Sequence, residues 1–159
     1  MEINVLIDEV VKSSLDAGWL QSIAEQALIA QNADPNVEMG LVITNQERVQ
    51  QLNRSYLGKD EPTDVLAFSM LPVTKEIGAD LPPFVTPPDG MVHLGEVIIS
   101  YHQAVIQAEE QHHSIRKEIA TLIVHGVLHI LGYKDDKPEL KRQMSAREAE
   151  ILTSVGELE

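Results

Sequence analysis

Short apolar runs along this chain alternate with longer segments in which apolar residues recur at helical spacing. Short apolar runs are typical of strands, and helical spacing is typical of helices that bury one face. The runs predict strands over residues 3–7, 37–44, 65–69 and 94–100. Capping residues and apolar spacing predict helices from Asp16 to about 31, after Asn45, over 101–131 with a break near 113–114, and from Pro138 to about 153.

The order of these elements favours an α+β fold. We expect a small mixed four-stranded sheet packed with about five helices. Residues 72–90 hold five of the eight prolines, which predicts a long surface loop. A length of 159 residues fits one domain spanning residues 1–159.

Composition narrows the classes of protein that fit. The chain has no cysteine, so histidines and carboxylates are its strong metal ligands. The N-terminus has no basic signal region, and no apolar run approaches the ~18–20 residues that span a bilayer, so we expect a cytoplasmic protein with no membrane partner.

Charge bears on nucleic-acid binding. A net charge of −13 argues against a protein that binds nucleic acid over much of its surface, and no DNA partner is expected. Residues 116–147 nevertheless carry seven basic against four acidic side chains. This segment is either a mixed solvated helix face or a patch that steers phosphates.

Two histidines four residues apart, His125 and His129, lie on one face of the predicted buried helix. Both imidazoles can therefore reach one metal ion at about 2.0–2.1 Å. Gly132 can end the helix and turn the chain back, which brings Asp135 or Asp136 toward the same ion. Three protein ligands and a fourth position for water are the layout of a catalytic zinc site, here at the end of a buried helix.

The spacing of these residues is similar to the long zinc motif of metzincin proteases, apart from its last ligand. In zinc proteases the residue after the first histidine is a glutamate that acts as general base. Here Gly126 stands in that position and cannot transfer a proton. The sequence therefore disfavours a zinc peptidase, which stays as a minor alternative.

Three blocks of the sequence resemble, in order, the motifs of the YbeY family of metal-dependent endoribonucleases. They are the run His-Gly-Val-Leu-His-Ile-Leu-Gly-Tyr from His125, the segment 52–68 with Asp-Glu-Pro-Thr-Asp-Val-Leu, and the segment Leu-Gly-Glu at 94–96. The resemblance implies a hydrolase that cleaves single-stranded RNA, with Zn²⁺ as its metal and other divalent ions as alternatives.

Two departures from the family pattern bear on the candidate site. Asp135 occupies the place of the usual third histidine ligand, so the resemblance implies the ligand set His125, His129 and Asp135. Leu57 replaces an arginine that is thought important for activity. Arg54 is one helical turn earlier and is either its substitute or a solvated side chain. Lys59 is the second candidate for contact with the RNA.

The resemblance further implies a role in 16S rRNA 3′-end maturation and ribosome quality control, with small-subunit rRNA and the ribosome or pre-ribosome as partners. We expect Arg54 and Lys59 to act in catalysis by offsetting charge on the phosphate. The alternative is a noncatalytic ribosome-assembly factor whose metal is structural.

Glu118, seven residues before His125, is either a hydrogen-bond partner behind the metal ligands or a charged surface residue.

Overall fold

The computed structural model describes residues 1–9, 11, 15–61, 63–70, 92–134 and 136–155. The described residues form four strands: β1 (Glu2–Ile7), β2 (Val37–Thr44), β3 (Val65–Ser69) and β4 (Val92–Ser100). They also form five helices: α1 (Ala17–Ala30), α2 (Gln46–Leu57), α3 (Tyr101–Glu110), α4 (Ile115–Ile130) and α5 (Pro138–Val155). None of these helices is long and apolar enough to cross a membrane.

The strands form one mixed sheet in the order β1-β2-β4-β3. β1 and β4 both run parallel to the central β2, whereas β3 runs antiparallel to β4. The prediction of an α+β fold with a small mixed four-stranded sheet and five helices is therefore confirmed. The predicted loop at 72–90 lies outside the described residues.

Polar side chains begin four of the helices, where the first backbone N–H groups lack a partner within the helix. The side chains of Asp16 and Asn45 accept from backbone N–H groups at 3.0 Å and 2.8 Å, as their positions in the sequence predict. Ser114 accepts from the N–H of Lys117 at 3.1 Å and begins α4. The predicted break in the long helical segment is thus confirmed, and His112 turns the chain there with a φ of 56°.

The two faces of the sheet carry different helices, because successive side chains of a strand point to opposite faces. Val97 and Ile99 of β4 join the main core with α1, α4 and α5. Ile98 points to the other face, where it meets Val49 of α2 and Leu66 of β3. The end of α2 and the end of α4 therefore flank the sheet from opposite faces.

Helix α4 packs very closely on β4 at Gly126. A Cβ atom built at Gly126 would lie 2.6 Å from Cγ1 and 2.8 Å from Cγ2 of Val97, which is shorter than real Cβ contacts. Val97 is fully buried, so its methyl groups cannot move aside into solvent. The glycine that separates this sequence from the zinc proteases is therefore required by the packing of the helix against the sheet.

We expect Gly126→Ala to destabilise the protein by about 1–2 kcal/mol. Overpacking costs about 1–3 kcal/mol, and the better helix propensity of alanine returns up to about 1 kcal/mol. In a Val97→Ala background the same change should be neutral or stabilising, because the opposing methyl groups are gone. Denaturant unfolding of the four proteins measures this coupling.

Gly18→Ala in α1 is the control for this coupling, since its Cβ would meet only Asp16, whose Oδ2 lies 3.1 Å away and caps the helix. Its effect on stability should be the same in the wild-type and Val97→Ala backgrounds, because the two sites share no contact. Equal destabilisation by Gly126→Ala in both backgrounds would contradict the steric account.

Candidate metal centre

The ring nitrogens of His125 and His129 converge on one side of α4. Their Nε2 atoms are 3.1 Å apart, and the ring centroids are 4.6 Å apart at an interplanar angle of 72°. Two nitrogen ligands at about 2.0–2.1 Å from a tetrahedral ion are separated by about 3.3–3.4 Å. The predicted pair is therefore brought together within a few tenths of an ångström of the spacing that one zinc ion requires.

A carboxylate from another helix stands behind this pair. Oε1 of Glu148 in α5 is within hydrogen-bond distance of Nδ1 of His125. A carboxylate only accepts, so the Nδ1 hydrogen of His125 donates to it, and in the neutral ring Nε2 then keeps its lone pair. This arrangement, with a carboxylate behind the imidazole, is the usual environment of a histidine that binds a metal.

The sequence analysis missed Glu148, although the chain carries a weak signal for it. Met144 and Ile151 are the buried residues of α5, and Glu148 lies between them at helical spacing. An acidic residue on an otherwise buried stripe indicates a specific partner inside the fold. Nothing in the local sequence identifies that partner as His125, which is 23 residues earlier.

The site is partly open. The side chain of His125 is 29% exposed, in contrast to Val124 and Leu128 on the same helix, which are fully buried. Gly132 follows the end of α4 with a φ of 109°, in agreement with the predicted turn at this glycine. The histidines therefore lie at the rim of the core, where a substrate can reach them.

The third predicted ligand, Asp135, lies outside the described residues. Asp136, the other carboxylate considered from the sequence, is exposed. Within the part of the chain that the structure describes, no group of three or more histidine and acidic side chains is arranged to hold a metal ion. Asp135 as a ligand therefore stays a prediction.

Arg54 and Lys59, the two predicted catalytic cations, are exposed at the C-terminal end of α2 and just beyond it. Gly58 ends this helix with a φ of 71°, and Leu57 is 53% exposed. The structure therefore places both cations on or just after α2, on the opposite face of the sheet from the helix that carries the histidines. The geometry alone assigns no role to either side chain.

Strand β3 connects these two regions. The ring of Tyr56, at the end of α2, packs on Phe68 of β3 with centroids 5.4 Å apart. The next residue, Ser69, donates its hydroxyl hydrogen to the carbonyl oxygen of Ile130 at 3.0 Å. Because Ile130 directly follows His129, one short strand joins the end of α2 to the end of the helix that carries both histidines.

Glu118 is neither a partner of the histidine ligands nor a surface ion. Its side chain is buried, with Oε1 2.7 Å from Nε2 of His113 and Oε2 accepting from Nε2 of Gln107 at 2.8 Å. Gln107 also donates to Oδ2 of Asp64 at 3.2 Å. Both interpretations from the sequence are therefore wrong, because Glu118 connects α3 and α4 to the residue that precedes β3.

Two of the basic side chains in the segment 116–147 are engaged within the fold. The guanidinium of Arg116 lies 4.5 Å from the centroid of the Trp19 ring. Arg147 donates to the carbonyl oxygen of Ala30 at 2.5 Å and to Oε2 of Glu150 at 2.7 Å. These contacts favour the interpretation of this segment as a mixed helix surface over a patch dedicated to phosphates.

Two converging imidazoles, a carboxylate behind one of them and a partly open rim define a candidate metal centre of the hydrolytic class. Comparison with known proteins agrees with this class. The profile of the family described as Endoribonuclease YbeY matches residues 4–156.

Relatives named Endoribonuclease YbeY match nearly the whole chain. One from Dehalococcoides mccartyi is 46% identical over 158 residues, which cover 99% of this chain and 92% of that protein. Another from Chloroflexus aurantiacus is 38% identical over 155 residues, covering 97% of this chain and 95% of that protein. The chain belongs to the YbeY family of endoribonucleases, and the prediction made from its three sequence blocks is confirmed.

The fold also has a counterpart among solved structures. The solution structure of TM1509 from Thermotoga maritima matches with a TM-score of 0.60, covering 96% of this chain and 88% of that chain. At 22% sequence identity, this match shows a shared fold.

We expect Glu118→Ala to lower stability by about 1–3 kcal/mol, because it removes a buried carboxylate that pairs with the part-buried side chains of His113 and Gln107. Zinc affinity should stay within about twofold of wild type, because Glu118 contacts neither ligand. Thermal unfolding and zinc titration measure the two effects. Glu118→Gln, which keeps an acceptor oxygen, should lose less stability.

Glu110→Ala, at an exposed end of α3, serves as the control and should change neither quantity. A tenfold loss of zinc affinity in Glu118→Ala with little loss of stability would restore Glu118 as a partner of the ligands.

Proposed function

We propose that this chain is a single-strand-specific, metal-dependent endoribonuclease that acts in 16S rRNA 3′-end maturation and ribosome quality control in the cytoplasm. The observation that carries the metal centre is the 3.1 Å approach of the two Nε2 atoms, with a carboxylate on the far side of His125. The relatives' name, Endoribonuclease YbeY, supports RNA as the substrate. The ribosomal role rests on the resemblance of the sequence blocks.

His125 and His129 would hold the ion, and Asp135 would supply the third ligand. Two imidazoles suit zinc, and a carboxylate oxygen is an accepted zinc ligand that also suits other divalent ions. Gly132, with its positive φ, turns the chain just before Asp135. A zinc ion bound there supplies Lewis-acid chemistry, which activates water and polarises a phosphoryl oxygen.

We expect the RNA to bind on the side of β3 opposite the histidine pair. The net negative charge of the chain repels RNA, so cations near this surface have to offset the charge of the phosphates. Arg54 and Lys59 stand at the end of α2, and the Tyr56 side chain beside them is 69% exposed. Exposed aromatic rings stack on unpaired bases, which agrees with a preference for single strands.

Replacing His129 with alanine should abolish cleavage of a single-stranded RNA. Loss of a group behind a metal ligand costs about 10–100-fold, so loss of a ligand should exceed about 100-fold. The melting temperature of the metal-free variant should stay within about 3 °C of metal-free wild type, since the ring is only partly buried. A fluorogenic RNA assay and thermal unfolding measure the two quantities.

His102→Ala, at an exposed position of α3, is the matched control and should keep full activity. A wild-type protein that cleaves no RNA, together with a large stability loss in His129→Ala, would contradict a catalytic metal and favour a structural one.

Arg54→Ala and Lys59→Ala should each lower cleavage by about tenfold or more, the value of one charge-assisted hydrogen bond to phosphate. The slope of log affinity against log salt for single-stranded RNA should become shallower by about 0.7 for each phosphate that is no longer neutralised. Binding titrations from low to high salt measure the slope.

Arg48→Ala is the control for these variants, because Arg48 is exposed on the same helix but nearer its start. If all three variants behaved alike, the end of α2 would have no special role in RNA binding.

A further inference from the structure

We propose that Glu148 is a positioning residue that fixes the tautomer and orientation of His125 so that its Nε2 lone pair points toward the metal. The inference deepens the proposed function and rests on it, because it assumes that the histidine pair holds the ion. The carboxylate comes from α5, which lies outside the three sequence blocks described above. Three features of the structure support this proposal.

The first feature is the hydrogen bond itself. Oε1 of Glu148 faces Nδ1 of His125, and the side chains of Glu148 and His125 are largely buried, with 16% and 29% of their surface exposed. Which nitrogen of a neutral histidine carries the hydrogen is set by the hydrogen bond that the other nitrogen makes. A carboxylate cannot donate, so it holds the hydrogen on Nδ1 and leaves the lone pair on Nε2, where a metal binds.

The second feature is the distance on the opposite side of the ring. The Nε2 atom that Glu148 leaves as an acceptor is only 3.1 Å from Nε2 of His129. Two lone pairs at that distance repel each other unless a hydrogen or a cation stands between them. Glu148 therefore keeps Nε2 of His125 as an acceptor, so that either a hydrogen of His129 or a cation can lie between the two nitrogens. Its charge also increases the electron density that the ring offers to an ion.

The third feature is the anchoring of the helix that carries the carboxylate. Met144 and Ile151, on either side of Glu148 along the same face of α5, are each 1% exposed. The neighbouring Arg147 contacts the side chain of Gln31 and donates to the carbonyl oxygen of Ala30, at the C-terminal end of α1. α5 is thus held by apolar packing and by a polar contact with α1, which aims Glu148 at α4.

The experiment compares zinc affinity in Glu148→Ala and Glu148→Gln with wild type, by competition with a chromophoric chelator. Loss of such a partner typically weakens metal binding by about 10–100-fold, so we expect that range for alanine. Glutamine keeps an acceptor oxygen, so its loss should be smaller than that of alanine. Glu139→Gln, at an exposed position near the start of the same helix, is the control and should bind zinc as wild type does.

A second readout needs no metal. Nitrogen-15 NMR of the metal-free protein reports which ring nitrogen of His125 carries the hydrogen. We expect the Nδ1–H form in wild type and in Glu148→Gln, and a mixture of tautomers in Glu148→Ala. A helix that merely needed Glu148 for stability would not change this signal, and thermal unfolding of the metal-free variants checks that they are folded.

The outcomes separate the two proposals. Unchanged zinc affinity in Glu148→Ala, with binding abolished in His125→Ala, would overturn the role of Glu148 and leave the metal centre in place. A wild-type protein that binds no zinc would overturn the metal centre. In that case an Nε2–H form of His125 in the NMR spectrum would also overturn the orienting hydrogen bond, and an Nδ1–H form that Glu148→Ala abolishes would support it.

Discussion

The contact between Gly126 and Val97 sets the position of the helix on which the site depends. Because no side chain separates the backbone of α4 from the methyl groups of Val97, the helix lies as close to β4 as packing allows. A larger residue at position 126 would push the whole helix outward. That shift would move His125 away from Glu148 of α5, and it would move Ile130, which follows His129, away from Ser69 of β3.

The centre is assembled from elements that are distant along the chain, and each is fixed by its own packing. α4 supplies both imidazoles, and α5 supplies the carboxylate behind His125. β3 is tied to the end of α4 through Ser69 and to the end of α2 through the rings of Phe68 and Tyr56. This connectivity places the partly open candidate metal centre and an exposed pair of cations at the two sides of one strand.

Local signals in the sequence were sufficient for the elements themselves. Alternation and apolar spacing predicted the strands and helices, and the predicted caps Asp16 and Asn45 begin α1 and α2. The break predicted near 113–114 is where Ser114 begins α4. The spacing of the two histidines also predicted their convergence, because residues four apart share a helical face. These features depend on residues close together in sequence, so a single chain suffices to predict them.

The partners of the site depend on tertiary packing, which the sequence does not encode locally. Glu148 meets His125 only because α5 docks beside α4, and Glu118 is buried only because α3 and the residue before β3 close over it. In the sequence, Gly126 disfavours a zinc protease, and the structure adds that close packing against Val97 requires a glycine there.

The most direct test of the metal centre is the elemental analysis, by mass spectrometry, of protein purified without chelators or a histidine tag. About one zinc or similar divalent ion per chain is the predicted result, and no bound metal even after incubation with zinc would contradict it.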